Sequence, residues 1–168
     1  MGKEPWDSSS EKAKELKISD FGTPEEVREM SKMPRTAQNR EEAVNILKQI
    51  AKNGSLKNKS GIIASLSGKS IDEIVSGQAL YQSFNIMAHW QAAANVDKLF
   101  LNAIEPWEFE LNPNKENEHL KNRLYLYAPM EYNENILPVK LTLKEFKQKG
   151  LEKRLYSIEA INVDMQVK

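Results

Sequence analysis

Two short runs late in the chain, RLYLY over Arg123–Tyr127 and KLTLK over Lys140–Lys144, alternate strictly between apolar and polar residues. A period of two marks a strand with one face buried, because successive side chains leave the backbone on opposite sides. Leu124, Leu126, Leu141 and Leu143 share one face, predicted to be core. Arg123, Tyr125, Tyr127, Lys140, Thr142 and Lys144 share the other, predicted to be displayed. A turn across Glu131 to Asn135 makes the two runs an antiparallel pair. Trp107–Leu111 alternates in the same way, and Gly61–Leu66 is a further short strand candidate. Arg154–Ile161 supplies a last strand, with Tyr156, Ile158 and Ala160 toward the core and Leu155, Ser157 and Glu159 on the displayed face.

The helical period dominates the earlier part of the chain. Thr23, Pro24 and Glu26 form a helix start in which Thr23 caps and Glu26 closes a capping box. That helix fades near Met33 and Pro34. Asn39 to Glu42 repeats the signal, Val44, Leu47, Ile50 and Ala51 give an apolar stripe, and Asn53-Gly54 ends it. Ser70 to Glu73 predicts a third capping box and a short helix that stops at Gly77. The strongest helix is predicted over 85–104. At about 100° per residue, His89, Ala92, Ala93, Val96, Leu99, Phe100, Ala103 and Ile104 fall in one sector, and Gln91, Asn95, Lys98 and Asn102 fall opposite.

Helices followed by a run of antiparallel strands predict an α+β fold, with helices on one face of a twisted antiparallel sheet of four to five strands. The composition divides the chain into a flexible polar tail (1–20), a helical N-terminal extension (21–58) and an α+β domain (59–168).

Composition then narrows the chemistry. Lys plus Arg and Asp plus Glu each number 24 in 168 residues, so no global field draws the protein to nucleic acid or to an anionic membrane. Any cationic character must be local, and the displayed strand face is where it concentrates. With no cysteine, disulfides, thiolate metal sites and a cysteine nucleophile are excluded. No apolar run is long enough to span a bilayer, and the N-terminus lacks a signal-peptide core, which predicts a soluble, cytoplasmic protein with no membrane partner. SGKS over Ser67–Ser70 matches the end of a phosphate-binding loop, but the upstream glycine is missing. His119 falls in a polar loop. Two distant histidines without an acidic partner at ligand spacing predict no metal site, and no cofactor is expected.

The displayed cluster of Arg123, Tyr125, Lys140, Thr142 and Ser157, with Glu159 nearby, is the set of groups a metal-independent ribonuclease needs. Such an enzyme requires a base for the ribose 2′-hydroxyl, an acid for the leaving oxygen, and cations for the phosphorane. Glu159 or His89 is the candidate base, with Lys140 and Arg123 as clamps. Two ordinary readings stand beside this one. A histidine in an apolar sector is commonly a satisfied core residue, and a solvated sheet face commonly carries Lys, Thr, Tyr and Arg.

Several stretches together resemble one family in order and spacing. They are GIIASLSGKS (61–70), VSG (75–77), His89, ANVDKLF (94–100), Ala103, YAPM (127–130), VKLTLKE (139–145) and LYSIE (155–159). The resemblance, over about residues 60 to 163, is to the large polyvalent-protein-associated domains of phage and conjugative-element proteins. Those domains are allied in style to barnase/EndoU/colicin/RelE-like nuclease domains. It implies functional positions at Lys69, His89, Lys140, Thr142, Lys144, Tyr156 and Ser157. Relatives often carry a His-Arg pair where this chain has Leu124 and Tyr125, and Arg123 lies on the same face as Tyr125.

Three functions follow as expectations. The first is a metal-independent endoribonuclease-like domain of a phage or mobile element, with His89, Glu159, Thr142 and Ser157 as catalytic candidates. Lys69, Arg123, Tyr125, Lys140, Lys144 and Tyr156 would then bind an RNA substrate. The second is a non-catalytic nucleic-acid- or protein-binding module of the same lineage, whose partners would be RNA, a protein inhibitor or other domains of a larger phage protein. The third is a plain structural domain.

Overall fold

The computed structural model describes residues 16–77, 79, 83, 85–105, 123–146 and 155–164. The fold is α+β. After a 3-10 turn at Ile18–Phe21 come helices α1 (Pro24–Ser31), α2 (Arg40–Lys52), α3 (Gly68–Ile74), α4 (Ile86–Ala94) and α5 (Val96–Asn102). Strands β1 (Leu56–Lys57), β2 (Ile63–Ser65), β3 (Arg123–Tyr132), β4 (Asn135–Phe146) and β5 (Leu155–Val163) form one five-stranded sheet in the order β1-β2-β5-β4-β3. The sheet is mixed rather than wholly antiparallel, because β2 pairs with β5 in parallel, Ala64 beside Tyr156 and Ser65 beside Ser157. The strand expected at Trp107–Leu111, the polar tail up to residue 15 and His119 lie outside the described residues.

Local chemistry explains the helix ends. The Thr23 hydroxyl accepts the Glu26 N–H while the Glu26 carboxylate accepts the Thr23 N–H, so two otherwise orphaned donors are satisfied. Asn39 caps α2 through its side-chain oxygen, and Gly54 just past its end adopts φ +95°, which a Cβ would resist. α3 begins a turn earlier than expected. Ser67, not Ser70, is its cap, and the two serines exchange backbone-to-hydroxyl hydrogen bonds.

The hairpin is much longer than the alternating runs. β3 and β4 pair without interruption from Arg123–Lys144 to Tyr132–Asn135, around a two-residue turn at Asn133 and Glu134, both with positive φ. Pro129 and Pro138 face one another in mid-ladder and suggest a break in the sequence. They are tolerated because backbone groups point alternately to either side of a strand. Tyr127 directs its N–H and C=O away from β4 to Ile104, so Pro129, two residues on, also points outward. The Pro138 carbonyl accepts the Asp164 N–H, so that residue points toward β5. Neither missing N–H is one the β3–β4 ladder needs.

The core lies between the helices and one sheet face. Leu126, Leu141 and Leu143 are buried there with Leu47, Leu99, Phe100, Ile158 and Ile161, while Leu124 is half-buried at the margin. Two expectations on the sheet need correction. Thr142, expected on the open face, is only 8% exposed. It sits directly opposite Tyr125 with Lys140 two residues before it, and a short side chain between two long ones is overshadowed. Ala160, expected in the core, lies on the displayed face. Thr142 pairs with Ala160 but Leu143 pairs with Ile158, so Glu159 is an extra residue in a β-bulge. A bulge of one residue reverses the phase of alternation beyond it. Ile161 and Val163 therefore point inward where Ala160 and Asn162 do not.

The single helix expected over 85–104 is two, broken at Asn95. Asn95 and Asn102, assigned to the solvent sector, are buried. The segment before α2 covers Asn95. Asn95 accepts the Arg35 N–H and donates to the Arg35 carbonyl, and the Arg35 guanidinium grips Asp97 at 2.6 and 2.9 Å. Lys98 is likewise engaged, donating to the carbonyls of Glu29 and Lys32.

Candidate functional site

The displayed face is built by register. Arg123 on β3, Lys144 on β4 and Ser157 on β5 form one row across three strands, and Tyr125, Thr142 and Ala160 form the next. Tyr127, Lys140 and Asn162 form a third row, with Asp164 just beyond. The bulge delivers Glu159 to the first row. Arg123 reaches over β4 to hold its carboxylate, Nε to Oε2 at 2.9 Å and Nη2 to Oε1 at 3.3 Å. In the middle of the face the Lys140 ammonium lies 4.6 Å from the centre of the Tyr125 ring, a cation–π contact.

Lys69 joins this face from its margin. β2 ends beside Ser157, and Lys69 stands at the start of α3 only four residues after Ser65. The electrostatics agree with that placement. The Arg123 hydrogen bonds hold the Glu159 carboxyl below its ordinary pKa against the opposing effect of burial, and Lys144 and Lys69 add to the depression. An ionised carboxylate thus sits among three cations. At the other end of the face, burial raises the Asp164 carboxyl, partly offset by Lys140. Burial, with Asp164 and Tyr125 nearby, pushes the Tyr127 phenol up to about 12. Asp164 and Tyr127 were not among the site residues named from sequence. Tyr127 carried the displayed-face parity, and Asp164 lies three residues past the end predicted for the last strand.

Seven of the named residues (Arg123, Tyr125, Lys140, Thr142, Lys144, Ser157 and Glu159) therefore share one face, with Lys69 at its edge. His89 and Tyr156 do not join them. Tyr156 points to the core side, half-buried against the apolar cluster. His89 is 0% exposed, and both ring nitrogens are occupied. Nε2 donates to the Ile74 carbonyl at 2.7 Å, so Nδ1 carries no proton and accepts from the Ser83 hydroxyl at 2.6 Å. The Ser83 oxygen in turn accepts the Val163 N–H, which ties α4 to the end of β5. Burial lowers the His89 pKa, so the ring is neutral in the folded protein.

Among the described residues, no group of three or more His, Asp or Glu side chains is placed to hold a metal ion. Nor is any helix among them long and apolar enough to cross a membrane.

Residues 34–156, about three quarters of the chain, match the model of the family described as large polyvalent protein-associated domain 3. The chain belongs to that family. The match begins earlier than the resemblance seen in the sequence, taking in the Arg35 segment and α2. Both are bound into the polyvalent-protein-associated domain physically. Ala37, Leu47 and Ile50 share one apolar cluster with the sheet, and Arg35 is fixed to Asn95 and Asp97. No curated protein and no solved structure matches the chain.

Proposed function

We propose that this domain serves a larger phage or mobile-element polyvalent protein as a nucleic-acid-binding module. The displayed sheet face would contact the phosphates of single-stranded RNA. The observation that carries this reading is the convergence of Lys69, Arg123, Lys140 and Lys144 on one side of the sheet, where, among the described residues, Glu159 and Asp164 are the accompanying carboxylates. Cations at strand spacing suit a phosphate backbone, and Tyr125, pre-set by Lys140, offers a ring on which a base can stack.

Metal-independent RNA cleavage is the second reading, and Glu159 favours it. An ionised carboxylate beside Arg123 and Lys144 pairs a base with the cations a phosphorane requires. Against it, the same cations make that carboxylate a weak base, and His89 is committed to Ile74 and Ser83 in the core.

Titrating a labelled single-stranded RNA at increasing salt tests both readings. Binding that weakens steeply with salt, and a Lys140→Ala variant whose salt dependence is flatter by about one phosphate contact, support the module. Cleavage in EDTA that leaves cyclic-phosphate ends and is lost in Glu159→Gln favours the ribonuclease. An absence of binding at low salt would overturn both.

A further inference from the structure

A groove of about 520 Å³ runs between α2 and α3. Its floor is apolar, with Val44 from α2 and Ile71 from α3. Arg40, Lys48 and Lys52 rim it and Asp72 is the one carboxylate among its lining residues. The three cations lie at about one-turn multiples along a single side of α2, a stripe roughly 18 Å long at 1.5 Å per residue. All three are exposed, and none is engaged in an ion pair among the described residues.

The groove's position gives the stripe a direction. Gly68 lines it, and the next residue, Lys69, is near enough to Glu159 at the margin of the sheet for its charge to help lower that carboxyl's pKa. Cations therefore continue from Arg123 and Lys144 on the sheet, past Lys69 at the start of α3, into the α2–α3 groove. We infer that sheet face and groove form one continuous track for a single strand of RNA, an inference that rests on the RNA-binding reading of the sheet face. The rim cations contact phosphates, and the floor accepts the apolar faces of bases. An extended polyanion fits better than a compact anion, because the positive charge is strung along a path. An acidic amphipathic helix would use the groove but would not need the charges on the sheet.

Length dependence of binding tests the track. The full chain is titrated with a uridine tetramer, which the sheet face alone can hold, and with a uridine dodecamer. The test protein carries Arg40→Gln, Lys48→Gln and Lys52→Gln together, which are surface changes whose folding is checked by circular dichroism and melting. The expected result is dodecamer affinity about tenfold weaker, with a salt slope shallower by about two phosphate contacts, and unchanged tetramer affinity. Dodecamer binding that Lys144→Ala weakens but the groove triple leaves intact would overturn the track. The sheet-face reading would then stand, with the groove left to a protein partner. Equal weakening of both oligomers would also overturn it, since the groove would then act only through its general field. A wild-type protein that binds neither oligomer removes the track and the sheet-face reading together.

Discussion

Arg123 and Glu159 meet across an intervening strand: β3 and β5 are not neighbours, and the guanidinium passes over Lys144 of β4 to reach the carboxylate. Only the bulge at Glu159 allows this, by placing an extra residue on the side that Arg123 faces. Both side chains are about one-third exposed, so the pair contributes no more than about 1 kcal/mol. Its larger effect is on the charge of the face. Glu159→Gln releases Arg123 and removes a negative charge beside Lys69 and Lys144. Filter binding of single-stranded RNA should show this variant binding several-fold tighter, with melting within about 1 kcal/mol of wild type. Weaker binding would mean that Glu159 holds Arg123 in its working position.

His89 predicts a pH dependence whose sign follows from its burial. Its folded pKa is lowered from the ordinary 6.5, so on acidification the unfolded chain gains a proton that the folded chain refuses. The stability associated with this site is full above 6.5 and is lost progressively as pH falls below that value toward the lower folded pKa. His89→Ala should lose roughly 2–4 kcal/mol at pH 7.5, since the Ser83 hydroxyl and Ile74 carbonyl are left without their partner. It should also melt with a smaller drop between pH 7 and pH 5.5 than wild type. An identical drop in both proteins would assign the titration to another group.

Phe100 and Lys98 separate core packing from tethering within α5. Phe100 is fully buried, and Phe100→Ala should destabilise by roughly 3–5 kcal/mol in urea unfolding. Lys98, which the helical period assigns to solvent, instead donates to the carbonyls of Glu29 and Lys32 and ties α5 to α1. Lys98→Ala should therefore cost about 1 kcal/mol. A neutral result would mean that water replaces the ammonium at those carbonyls without loss.

Sequence alone determined what depends on periodicity and local chemistry. The alternation at Arg123–Tyr127 and Lys140–Lys144 assigned Leu126, Leu141 and Leu143 to the core and Arg123, Tyr125, Lys140 and Lys144 to the other face. Each of those assignments depends only on the pleat. The caps at Thr23 and Asn39 were legible because the donor and acceptor lie within three residues of one another. Tertiary structure decided the rest. Asn95 looks solvent-facing until the Arg35 backbone, sixty residues away, supplies its partners. The parallel pairing of β2 with β5 brings Lys69 to the sheet margin, and no local signal encodes that pairing. Last, the bulge at Glu159 arises because Ile158, Ile161 and Val163 must all be buried against the helices. No uniform two-residue period satisfies all three at once, so the chain breaks its own alternation and turns a carboxylate toward Arg123.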